Sequence, residues 1–65
     1  MAKDFLYKCK NKRASFLDFK FAFLRKDYGF RVDTKVVSED ELMISYTFEN
    51  ELQDALKIIQ SLDSD

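Results

Sequence analysis

Sixty-five residues make one domain near the lower size limit for independent folding, a size that buries only roughly 60 % of the surface its unfolded form exposes. The single Cys9 excludes an internal disulfide, and the lack of histidine all but excludes a zinc shell, so stability must come from a dense apolar core, extended if need be by self-association. Residues 1–35 hold ten basic against four acidic residues, a net of +6, while residues 36–65 set Lys57 against eight acids, a net of −7; the total of −1 hides a charge dipole that hints at a charged partner.

In chain order, residues 4–10 alternate with period two, Phe5, Tyr7 and Cys9 opposing Leu6, Lys8 and Lys10, which predicts a half-buried strand. Residues 15–25 alternate as well, with Leu17, Phe19, Phe21 and Phe23 on one side. Phe favours strands over helices, and the alternation predicts a second strand. A helix competes for the same segment: Ser15 with Asp18 resembles a capping box, and Gly29 followed by Phe30 reads as a helix stop. As a helix, however, the segment has two apolar stripes on nearly opposite sides, Leu17/Phe21/Leu24/Tyr28 and Phe16/Phe19/Phe23.

Strands are predicted next over 30–37 and 42–48, joined through the short polar break Glu39-Asp40-Glu41. The period then changes. Leu52, Ala55, Leu56, Ile59 and Leu62 form a helical stripe over 50–62, with Asn50 as N-cap and Gln53 three residues on. Asp63 and Asp65 stand at the wrong end of the helix dipole, so a frayed tail is expected over 63–65. The expected architecture is α+β, a four-stranded antiparallel meander covered on one face by a C-terminal helix (ββββα), with βαββα as the alternative.

Catalysis finds little support. Histidine, the commonest general acid–base, is missing, and the parity of Cys9 with Phe5 and Tyr7 makes it a buried, inert thiol. The acidic run at 39–41 lacks the spaced ligands and pivotal glycine of a calcium loop, and one glycine cannot build a phosphate cradle. No enzyme activity, metal or cofactor is expected. No run nears the roughly 18 apolar residues of a membrane span, and the start MAKDFLYKCK has no apolar leader, so the expected setting is cytoplasmic, without a membrane.

Under the meander, six of seven Phe point beneath the helix, and the open sheet face presents Lys8, Lys10, Lys20, Arg31 and Lys35 with Leu6 and Leu24 as apolar anchors. A basic, partly apolar face is expected to dock onto an acidic surface of a larger protein, as a small inhibitor or modulator does. A homodimer is compatible with the size. The alternative partner is single-stranded nucleic acid, held on the same basic residues without sequence preference. Phe21-Ala22-Phe23-Leu24 overlaps the core of the RNA-recognition octamer, but Lys20 stands where glycine is expected and Lys26 where an aromatic is.

Overall fold

The computed structural model, which describes residues 1–64, runs β1 (Lys3–Lys8), α1 (Ala14–Tyr28), β2 (Asp33–Ser38), β3 (Glu41–Tyr46), α2 (Glu49–Asp63). The expected α+β class holds, but the described residues form three strands in the order βαββα, which corrects the four-stranded meander. Residues 15–25 are helical, and the reason lies in two interleaved stripes. Ala14, Leu17 and Phe21, spaced three and four apart, are fully buried, while Phe16, Phe19 and Phe23 lie on the outward side of the same helix. Superposed, those two helical stripes mimic the every-second-residue pattern of a strand. Propensity gives way to tertiary burial of one stripe.

Gly29 ends α1 as the sequence suggests for a helix: it takes a left-handed φ of 72° and its N–H donates to the Arg25 carbonyl at 2.8 Å. Arg25 and Lys26 occupy the last turn, where the helix dipole favours cations. The expected Ser15 cap is not used. The helix starts at Ala14, its N-cap Arg13 makes no side-chain cap bond, and Asp18 instead accepts the Thr34 hydroxyl, tying α1 to β2. Arg25 makes a second tie to β2, donating to the Val32 carbonyl at 2.7 Å and pairing with Asp33.

The sheet order is β1-β3-β2, both pairs antiparallel. The two-residue turn at Glu39-Asp40 closes the β2–β3 hairpin, with the Ser38 hydroxyl reaching the Asp40 and Glu41 carboxylates at 3.0 and 2.8 Å. A bulge between Val36 and Ser38 interrupts β2. Tyr7, Leu42 and Ile44 line the inner face and join Ala14, Leu17 and Phe21 of α1 and Leu52, Ala55, Leu56 and Ile59 of α2 in one core. Both helices therefore cover one side of the sheet, as the extents of 29 × 22 × 15 Å also require, since the shortest admits only two layers.

The stripe predicted for α2 is the one that is buried, with Leu62 half-buried beside it. The start differs: α2 begins at Glu49, and Phe48, not Asn50, is the N-cap, without a side-chain bond. The other end differs more. Asp63, expected to fray, is fully buried. Its Oδ2 accepts the Tyr7 hydroxyl at 2.8 Å and the Lys10 N–H at 2.7 Å, and its carbonyl accepts Asn11 Nδ2 at 3.1 Å. Hydrogen-bond partners on β1 and the β1–α1 loop outweigh the unfavourable helix end. Residue 65, the rest of the predicted tail, lies outside the described residues.

Candidate functional site

The sequence places seven residues on one open sheet face, and the fold separates them. Leu6 and Lys35 do share that face, meeting across the central Met43, and Lys8 stands on it opposite Glu41. Asp4, Asp33 and Glu41 are there too, so the face is mixed in charge rather than basic. Lys10 sits in the loop after β1, its backbone held by Asp63. Arg31, between α1 and β2, is engaged: its Nε donates to Glu51 at 3.2 Å and its guanidinium lies 4.5 Å from the Phe48 ring centre. Lys20 and Leu24 belong to α1, in the helical layer behind the sheet. The helix at 14–28 is the cause, because it removes from the sheet the strand that was to carry them.

What the helix creates instead is an aromatic ridge. At 3.6 residues per turn, positions 16, 19 and 23 fall together on the side of α1 opposite Ala14, Leu17 and Phe21. Phe16, Phe19 and Phe23 are 48 %, 65 % and 67 % exposed. The Phe19 and Phe23 rings lean on each other at 6.0 Å and 54°, a tilted contact of the kind aromatic pairs prefer. Lys20 lays its ammonium 5.4 Å from the Phe16 ring centre. The parity of Phe19 and Phe23 with Phe21 predicts all three in the core; of the three, Phe21 alone is buried.

The ridge continues into hollows on both flanks. One is lined by Phe19, Ala22, Phe23 and Lys26. Across the ridge a groove of about 340 Å³ opens between Phe19, Lys20, Phe23, Leu24 and Leu62, and it runs on between Leu24, Tyr28, Lys57, Ile58, Ser61 and Leu62. Every charged residue lining these three depressions is a lysine. Lys57, the lone base of the acidic half, is brought by α2 to the same side as Lys20 and Lys26. Of the seven predicted residues, Lys20 and Leu24 remain on this surface. Phe16, Phe19 and Phe23 were visible as a helical stripe in the sequence; Lys26 and Lys57 join them only once the two helices are side by side.

A second polar cluster surrounds Asp63. Tyr7 and Cys9 both lie beside its carboxylate, buried between β1 and the end of α2. Burial chiefly, then the hydrogen bond to Asp63 and its charge, push the Tyr7 phenol far above its ordinary range. Burial, then the Asp63 charge, raise the Cys9 thiol. Such a thiol stays protonated and is a poor nucleophile. Asp63 Oδ1 is buried without a hydrogen-bond partner. Among the described residues, no group of three or more Cys, Asp or Glu is placed to hold a metal ion, and no helix is long and apolar enough to cross a membrane. No protein-family model, curated protein or solved structure matches this chain.

Proposed function

We propose that this chain is a small non-enzymatic binding protein that docks the lysine-flanked aromatic ridge of α1, with the α1–α2 groove, onto an acidic and partly apolar surface of a larger protein. The observation that carries the reading is the exposure of Phe16, Phe19 and Phe23 on one helical stripe. Full burial of such a ring is worth about 1.5–3 kcal/mol, and these three leave about half to two-thirds of their surface in water, so a partner that covers them gains that remaining share as driving force. Lys20, Lys26 and Lys57 around them steer toward carboxylates and away from basic surfaces. Phe19 and Phe23, adjacent and most exposed, are the anchors; Leu24 and Leu62 form the floor they leave open.

Affinity capture from the cells of origin, before and after nuclease, tests this with three baits: wild type, Phe19→Ser/Phe23→Ser, and Lys20→Glu/Lys26→Glu. A protein retained by wild type after nuclease and lost by both variants is expected. Equal retention by all three contradicts the assigned surface, and loss of all capture on nuclease treatment turns the reading toward nucleic acid.

A further inference from the structure

Of the described strands, β1 pairs with β3 alone, so its other edge is open. Cys9 N–H donates to the Asp40 carbonyl at 2.6 Å, continuing the β1–β3 ladder beyond Lys8. In antiparallel pairing the backbone groups of alternate residues point to opposite edges. Phe5, Tyr7 and Cys9 therefore address β3, and the N–H and C=O groups of Asp4, Leu6 and Lys8 face outward. Lys10, next in that series, already gives its N–H to Asp63, which closes the open edge just past Lys8.

We propose that β1 pairs antiparallel with β1 of a second copy of this chain, about a two-fold axis through Leu6, joining two three-stranded sheets into one of six. The sequence of the strand is self-complementary in that register. Asp4 faces Lys8 of the second copy twice over, Phe5 faces Tyr7, and Leu6 faces Leu6. All three outward-pointing residues then exchange backbone hydrogen bonds, six in total. Sliding the second strand by two residues one way loses both Asp–Lys pairs and a backbone pair. Sliding it the other way sets Asp4 against Lys10, whose N–H is already given to Asp63, and sliding it by one sets outward groups against inward ones. Phe5 and Leu6, 38 % and 47 % exposed, gain cover on the two faces of the joined sheet.

The opposite edge lacks this fit. The bulge in β2 between Val36 and Ser38 breaks a continuous ladder, a common protection of sheet edges, whereas β1 is regular along its whole length. Because the axis stands perpendicular to the sheet, both helical layers emerge on the same side. The dimer presents two aromatic ridges on the same side, a bivalent arrangement, while the contact itself is independent of what those ridges bind.

Sedimentation equilibrium up to about 1 mM protein tests the contact, with Asp4→Lys and Lys8→Asp as probes and circular dichroism to confirm folding. Wild type is expected to dimerise. Each single variant, which sets like charges against each other at both symmetric positions, is expected to weaken the dimer about tenfold. A 1:1 mixture of the two variants restores opposite charges at both positions and is expected to recover the association as a heterodimer. A wild type that stays monomeric overturns the inference, as does a mixture no tighter than its components. A dimer lost in Phe19→Ser/Phe23→Ser but kept in both charge variants overturns it too, by moving the contact to the ridge.

Discussion

Two residues with left-handed backbone show how much local geometry this chain tolerates. Gly29 has φ 72° and nothing within 4 Å of where a Cβ would stand, so Gly29→Ala meets only the backbone penalty, expected at about 1–2 kcal/mol of unfolding free energy in urea titration. Lys12 holds φ 50° with a full side chain, and its ion pair with Glu39 is solvent-exposed at 3.6 Å and contributes little. Lys12→Gly is therefore expected to stabilise the fold by about 0.5–1 kcal/mol. A destabilised Lys12→Gly variant would assign the Glu39 pair more than an exposed contact supplies.

The Asp63 cluster gives a pH dependence of definite sign. Tyr7 and Cys9 are neutral when protonated, and the fold favours that form of each. Their share of stability is fully present below the ordinary values of 10.0 and 9.0, and is lost as pH climbs from there toward the raised values of the folded state. Wild type is expected to lose stability steeply above about pH 9. Tyr7→Phe is expected to be less stable at pH 7 but to fall less between pH 8 and about pH 11. Parallel alkaline slopes for the two proteins in chemical denaturation would remove Tyr7 from this account.

At the scale of elements, the sequence was readable where one pattern had one cause. β1, β2, β3 and α2 lie within a few residues of the predicted segments because each has one dominant apolar stripe that faces the core. The pattern of α1 is ambiguous because its apolar residues have two causes. Ala14, Leu17 and Phe21 belong to the core, while Phe16, Phe19 and Phe23 lie outside it on the exposed side of the helix. The helix stop at Gly29 is real, although the Phe content of the segment favours a strand. A segment that is too apolar for an amphipathic helix is, in this chain, the sign of a second apolar stripe left outside the core. Asp63 was illegible for another reason: its partners Tyr7 and Lys10 are more than fifty residues away.

For the molecule as a whole, the uneven charge resolves into layers rather than halves. The sheet's open face mixes Lys8 and Lys35 with Asp4, Asp33 and Glu41, Arg31 is spent on Glu51, and the lysines that line apolar hollows come from both helices. The predicted partner chemistry survives as a proposal, moved from the sheet to α1. Its foundation is the division of one helix into a packed Phe21 and two unpacked neighbours. Urea unfolding of Phe21→Ala beside Phe19→Ser/Phe23→Ser measures that division. Phe21→Ala is expected to lose about 3–5 kcal/mol, enough to unfold so small a domain, while the double variant stays within about 0.5 kcal/mol of wild type. A double variant that unfolds as readily as Phe21→Ala would mean that the ridge is already packed, and no docking surface would be left.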